Sequence, residues 1–231
     1  MTACRESLRI MPREMRMMSE RILSLTNLPK GFALMVGDVI MYSEAMGLGG
    51  FALLERRLEA LLPADPTAIS LAGGAAQELV LDAGGQHAWF VVASVLDLLD
   101  EALESGKTAA IKVTNCMDPA ELAIAAALGR RVGLEVVMDG SILSASAAGK
   151  PADPVLDAVL AEGCAIAADL WWRIYDLAKT ALTPESAVSR RHAGPIIVTE
   201  DGQIIGRVDN DDDTDLQFIS KISNGSQEAR S

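Results

Sequence analysis

Two short stretches hold most of the residue types able to do chemistry. In "VTNCMDPAEL", residues 113 to 122, an apolar strand runs out into Asn115, Cys116 and Asp118 just before a helix is expected. A strand end beside a helix start forms a crevice whose free N–H groups favour an anion. Asn115 is placed to hydrogen-bond a carboxylate there, with Cys116 lining the pocket. The same residues suit plain helix initiation, with Asp118 as N-cap, Pro119 where a missing N–H costs nothing, and Glu121 closing a capping box. In "ESAVSRRHAG", residues 185 to 194, Glu185, Ser189, Arg190, Arg191 and His192 crowd one expected loop. Arginine offers a planar fork for a carboxylate or phosphate, and a histidine exchanges protons near neutral pH. Taken together the two stretches suggest a composite site for a small carboxylate-bearing molecule. Arg190 or Arg191, with Ser189, would bind the acid, and His192 or Glu185 would exchange protons. Asn115, Cys116 and Asp118 would form the opposite wall, Asp118 being a third candidate for catalysis. The plainer reading of the second stretch is a solvated connector whose arginines pair with an acidic surface.

Other candidates are weaker. Asp209, Asp211 and Asp213 alternate in "DNDDDTD" as ligands do in an EF-hand loop, but Thr214 stands where the loop needs glycine and Ser220 where it needs glutamate. A solvated acidic turn is the expectation, and no metal. Cys4, Cys116 and Cys164 form no CxxC pair, and His87 and His192 are the only histidines, so a zinc ribbon and a multi-histidine centre are excluded and a disulfide framework is disfavoured. Cys116 as a nucleophile would need a base beside it, and sequence alone places neither histidine there. His87, following Gly84-Gly85, reads as a helix cap or surface residue.

A net charge of −12 disfavours nucleic acid and anionic membranes, whose binding needs clustered Lys and Arg. The opening residues carry charges where a signal peptide has its apolar core, and every long apolar run is interrupted by a charge, so a cytoplasmic location is expected.

The elements that must position these residues follow from periodicity. Met15, Met18, Ile22 and Leu25 mark a helix over 12–26; Ala33, Val36, Ile40 and Ala45 a second over 30–46; a third runs over 51–62 to Pro63. After Pro66, short β-type runs bounded by glycine lead into a helical face from Trp89 to Leu103, a strand at 109–115, a helix over 118–132 and a strand at 134–139. Strand, helix, strand at this spacing predicts a parallel βαβ unit. "SASAAGKPADP", residues 144 to 154, reads as a linker. Beyond it a long helix spans 166–181, carrying Trp171 and Trp172, one ring expected in the core and the other against a neighbour or partner chain. "PIIVTEDGQIIGRV" reads as a hairpin turning at Asp201-Gly202. The fold class is therefore α/β, mixed α+β: a helical N-terminal cap (1–64), an α/β core with the βαβ unit (65–147), and a C-terminal long helix and β-hairpin with an acidic tail (148–231).

Residues 8 to 47, with Val36, Asp38 and Gly47 in a "V-x-D" run ahead of a glycine, resemble the opening of the type-2 malate/L-lactate dehydrogenase family of NAD(P)-dependent oxidoreductases. "LVLDAGGQHAWFVVASVLDLLDEALESGKTAAIKVTN" is similar to that family's strand, glycine turn, helix and strand leading to its catalytic loop. The resemblance implies NAD(P) as cofactor. The departures are specific: the family's Asp-Ser-His-Gly motif is replaced by "GLGG" at 47–50, and its Asn-Ser-Asn-His loop by "NCMD", which puts Asp118 near the catalytic histidine's place. Without those histidines the resemblance argues against malate or lactate dehydrogenase activity, because carbonyl reduction needs a proton donor at the oxygen. Separately, Pro184, Glu185, Ser189, Arg190, Gly194, Asp209, Asn210 and Asp211 resemble the closing motif of a bacterial family of unknown function, which brings no reaction with it.

The reading that follows is an enzyme or former enzyme acting on a small carboxylate-bearing metabolite. A non-catalytic pseudo-dehydrogenase subunit or binding partner is the alternative, and an NAD(P)-dependent 2-oxo acid reductase the third. A homodimer, or a heteromer with a neighbouring gene product, is the expected assembly.

Overall fold

The computed structural model describes residues 6–72 and 79–182, together with the backbone of two short strands near the C-terminal end. The chain divides into two units, Met1–Leu182 and Thr183–Ser231. The candidate residues Glu185, Ser189, Arg190, Arg191, His192, Asp209, Asp211 and Asp213 lie outside the described residues. In the second unit, Ile197–Val198 (β8) pairs antiparallel with Ile204–Ile205 (β9), the hairpin that the sequence leads one to expect.

In the first unit the three N-terminal helices run close to where the spacing puts them: α1 (Pro12–Leu23), α2 (Lys30–Ala45) and α3 (Gly50–Leu61). Proline occupies the first turn of α1, and Met15, Met18 and Ile22 form its buried stripe. Gly47 and Gly49, both at positive φ, turn the chain from α2 into α3. A Cβ on Gly50 would stand 2.5 Å from the Ile40 carbonyl oxygen, so α3 meets the end of α2 at backbone distance, which only glycine allows.

The sheet is mixed, with strand order β2 (Ser70–Ala72), β3 (Leu79–Asp82), β4 (Ala110–Thr114), β6 (Ile142–Ala147), β5 (Leu134–Asp139). Strands β3 and β4 are parallel and are joined by α4 (Ala88–Glu104), a βαβ unit one element earlier than expected; the strands of the expected unit, β4 and β5, joined through α5 (Ile124–Arg131), are separated by β6, and the other neighbours are antiparallel. Helix α4 serves two cores. Trp89 and Phe90 pack among the helices with Phe51, Ile40 and Ile174. Val91, Val95 and Leu99 pack on the sheet with Leu81, Ile111, Val113 and Leu143. A helix buried on both sides has little room for a polar face, which is why its first turns read as continuously apolar.

Two further expectations need correction. Residues 144–147 are not linker but part of β6, inserted between β4 and β5, with Ser144 opposite both Ala110 and Val137. Serine and alanine look like linker composition, yet a ladder is held by backbone hydrogen bonds and tolerates small side chains at a central strand. The real helix start in that stretch is Asp153, whose carboxylate accepts the Leu156 N–H and caps α6 (Pro154–Glu162). The long helix is also shorter than expected, because Cys164–Ala167 form a strand, β7, ahead of α7 (Ala168–Lys179). Its partner is β1 (Ser7–Ile10), so a pairing more than 150 residues apart in sequence decides the local structure. No described helix is long and apolar enough to cross a membrane.

Candidate functional site

The loops that leave the carboxyl ends of β3 and β4 are laced to each other. Ala83 and Gly85 donate to the carbonyls of Thr114 and Asn115 at 2.9 and 2.8 Å; Met117 donates to Gln86, and Ala88 to Met117, each at 3.0 Å. The parallel ladder thus continues past both strands to a bridge between His87 and Met117. Gly84, at φ 59°, passes so close to Ala68 that a Cβ would sit 2.4 Å from its carbonyl oxygen.

This lacing has a conformational cost. Among the described residues, the two non-glycine positions with positive φ are Asn115 (49°) and Asp118 (48°), and both lie in this four-residue loop. Strained backbone of this kind persists only where surroundings over-determine it, and it clusters at functional sites. Each left-handed residue costs about 1 kcal/mol or more.

Asp118 begins the 3-10 turn Pro119–Ala123, but its side chain does not cap that turn. The capping-box expectation is corrected here: Asp118 is gripped by Arg57 of α3, whose Nε and second guanidinium nitrogen donate to its two carboxylate oxygens at 2.8 and 2.9 Å. Glu121 is likewise committed elsewhere. It is buried and accepts a 2.7 Å hydrogen bond from the Trp89 indole N–H. A left-handed φ at Asp118 turns its side chain away from the following N–H groups, so the residue type that favours a cap serves a tertiary ion pair.

His87 is both the cap expected of it and a buried residue. Its side chain is fully covered, lies 4.1 Å (ring centroids) from Trp89, and accepts the Trp89 N–H at Nδ1 over 3.2 Å. That hydrogen bond assigns the neutral tautomer with its proton on Nε2. Nε2 lies 3.2 Å from an Asp118 oxygen, close enough to feel its charge, and among the described residues has no well-aligned hydrogen-bond partner.

The electrostatics follow from these contacts. Burial pushes His87 down to about 4, against a smaller upward pull from Asp118. The hydrogen bonds from Arg57 hold the Asp118 carboxyl below the usual range, with burial opposing and the His87 and Arg57 charges adding to the effect. Burial first, and then the Asp118 charge, push the Cys116 thiol up to about 11. At neutral pH the loop therefore presents a neutral imidazole, an ionised carboxylate and a protonated thiol. The imidazole is therefore not charged, the thiol is not a thiolate, and the ionised carboxylate is engaged by Arg57. Asn115 is exposed and its side chain makes no hydrogen bond among the described residues.

Arg57 was not legible as a site residue. In "FALLERRLEALL" it is one of two adjacent arginines on an amphipathic helix, and only the crossing of α3 over the 115–118 loop selects it. Its side chain is 40% exposed, so the guanidinium is reachable from solvent while it holds Asp118.

A second polar network ties the helices together away from this loop. Arg16 and Arg131 both pair with Asp38, at 2.7 and 2.9 Å; Arg131 lies 3.4 Å from Asp153 and over the Tyr42 ring, and the buried Tyr42 hydroxyl donates to Asp153. No group of three or more His, Cys, Asp or Glu among the described residues is arranged to hold a metal.

Compared with known proteins, the chain has distant structural similarity to dehydrogenases. Malate dehydrogenase from Pyrococcus horikoshii OT3 matches over 55% of this chain and 38% of its own, at 16% identity and a TM-score of 0.44. Malate dehydrogenase from Entamoeba histolytica matches over 57% and 38%, at 11% identity and 0.42. Sulfolactate dehydrogenase from Methanocaldococcus jannaschii matches over 49% and 36%, at 12% identity and 0.38. The matched region is thus less than two fifths of each of those chains. No family model and no curated protein matches.

Proposed function

We propose that this chain binds a small carboxylate-bearing molecule at the loop after β4, and that Arg57 receives the carboxylate in exchange for Asp118. The observation that carries the reading is the half-exposed Arg57 fork closed on Asp118 at the end of a strained loop. A guanidinium already aligned for one carboxylate is aligned for another, so a ligand needs only to compete with an internal mimic. Asn115, in the same loop as Asp118, carries an amide with no hydrogen bond among the described residues. Water screens an ion pair whose arginine is this exposed, so displacing it is not prohibitive.

The protonation states favour binding over catalysis. His87, Asp118 and Cys116 are neutral, ionised and protonated respectively, so none of the three titrates near neutral pH. That supports the non-catalytic alternative, a binding module or partner subunit, over a proton-transferring enzyme or an NAD(P)-dependent reductase.

The test is calorimetry and thermal protection with acetate, malonate and succinate. Saturable binding that is lost in Arg57→Ala and strengthened in Asp118→Asn is the expected result, since the second change removes the internal competitor while leaving the loop its shape. If all three acids leave the melting temperature and the calorimetric baseline unchanged, the reading is wrong.

A further inference from the structure

Two nitrogens converge on one oxygen of Asp118. Oδ2 accepts from Arg57 Nε at 2.8 Å, and His87 Nε2 stands 3.2 Å from the same atom. A second guanidinium nitrogen holds Oδ1, so the carboxylate is oriented by α3 and the imidazole is left without a well-aligned acceptor. The two donors tolerate this differently. Arg57 reaches solvent, where water can replace a lost carboxylate, but the His87 ring is fully buried and water cannot serve it. Because Nε2 is already within reach of Oδ2, only alignment has to change for the imidazole to be satisfied.

The surroundings of His87 leave few other influences. Trp89 and Phe90 of its own helix enclose the ring, at 4.1 and 6.3 Å between centroids. The charges acting on it among the described residues are Asp118, from the loop after β4, and Arg57, from α3. Arg56 acts on Asp118, Cys116 responds to Asp118, and Glu121 is held by the Trp89 indole.

We propose that Asp118 has two holders, Arg57 in the free chain and the Nε2–H of His87 once a ligand carboxylate occupies Arg57, so that ligand binding draws a proton from solvent onto His87. This rests on the proposed exchange at Arg57 and adds its regulation. Burial lowers His87 to about 4, with Asp118 opposing and Arg57 adding to the effect. A ligand carboxylate offsets the Arg57 charge, and an aligned Asp118 pulls harder on the ring, so both changes favour the imidazolium. Proton uptake then falls in the window between about 4 and the ordinary 6.5. By linkage, a ligand whose complex binds the extra proton binds more tightly as pH falls through that window.

Two measurements test this. The first needs no ligand: in Arg57→Ala nothing but His87 is left to hold Asp118, and NMR titration of the imidazole is expected to show a proton affinity about tenfold or more above that of the parent chain. Loss of the resonance in His87→Asn identifies it, and circular dichroism verifies that the variants fold. The second is calorimetry with acetate in buffers of different ionisation heat. The parent chain is expected to take up part of a proton per acetate bound, and to gain about tenfold in affinity relative to His87→Asn from about pH 7 to about pH 5. Acetate's own titration is common to both chains and cancels in that ratio. Asp118→Asn, which has no charge to hand to the imidazole, is expected to bind without the uptake. An unshifted His87 in Arg57→Ala overturns the proposal, whether or not acetate binds. So does acetate binding with the same proton balance in the parent chain and in His87→Asn. If His87 shifts in Arg57→Ala but acetate fails to bind the parent chain, the sharing of Asp118 stands and only the carboxylate ligand falls.

Discussion

Two polar networks cross the helical layer of this protein, and they differ in how completely they are satisfied. Around Asp38 and Asp153, two arginines and a tyrosine hydroxyl meet two carboxylates, and Asp153 also caps α6. Around Asp118, one arginine takes both carboxylate oxygens, while the buried Nε2 of His87 faces the same carboxylate without an aligned hydrogen bond. Backbone strain accompanies only the second, at Asn115 and Asp118. A buried polar group left unsatisfied costs free energy, and a native fold keeps such a group where another requirement outweighs packing. The first network holds elements together; the second has an alternative arrangement within reach, and for that reason it is the better candidate for exchanging partners with a ligand.

The largest effect separating them is expected from Asp153→Ala. It removes an N-cap and leaves the buried Tyr42 hydroxyl and Arg131 short of an acceptor, a loss of about 3 kcal/mol. Chemical denaturation should show it as a clear fall in midpoint. A loss under about 1 kcal/mol would mean that the network is peripheral to stability.

An effect of similar size belongs to His87 and depends on pH. Its ordinary value of 6.5 falls to about 4 in the folded chain, so between those values the unfolded chain binds the extra proton. This contribution to stability is fully present above pH 6.5 and is lost as pH falls toward 4, by about 3 kcal/mol at the full shift. His87→Asn keeps a capping oxygen for the Trp89 N–H but cannot titrate, so the stability difference between it and the parent chain should change across that window. A constant difference from pH 4 to 7 would show that the buried imidazole is not held neutral.

The smallest effect should come from Asp118→Asn. The ion pair it removes is partly exposed, and the change in stability should stay within about 1 kcal/mol, although the same variant is expected to bind carboxylates more tightly. Should it instead lose several kcal/mol, the Arg57 contact would be a structural clamp of the Asp153 kind, and the contrast between the networks would disappear.

Much of the fold was legible because local rules decided it. Helices α1 to α3 announce themselves through Pro12, Pro29, Gly47 and Pro63 together with apolar spacing, and β3, α4 and β4 through a change of period. The strand of residues 142–147 was not legible, since its serines and alanines carry no hydrophobic pattern and its place is set by β4 and β5. Strands β1 and β7 are short and pair only with each other, their place set by a partner more than 150 residues away. At the site, the loop from 115 to 118 stood out for its residue types, but its chemistry was misread as capping, because a capping box is recognised by sequence spacing and cancelled by a positive φ that spacing does not reveal.

By itself, then, the sequence determined the residues that crowd the end of β4 and the absence of histidine from the "GLGG" and "NCMD" stretches. These are matters of composition and order. Tertiary structure alone decided which partner each takes: α3 crosses the loop and gives Asp118 to Arg57, α4 buries His87 as a neutral cap, and Glu121 goes to Trp89. Protonation states follow from burial and from neighbours distant in the chain, and those are fixed only when the helices pack.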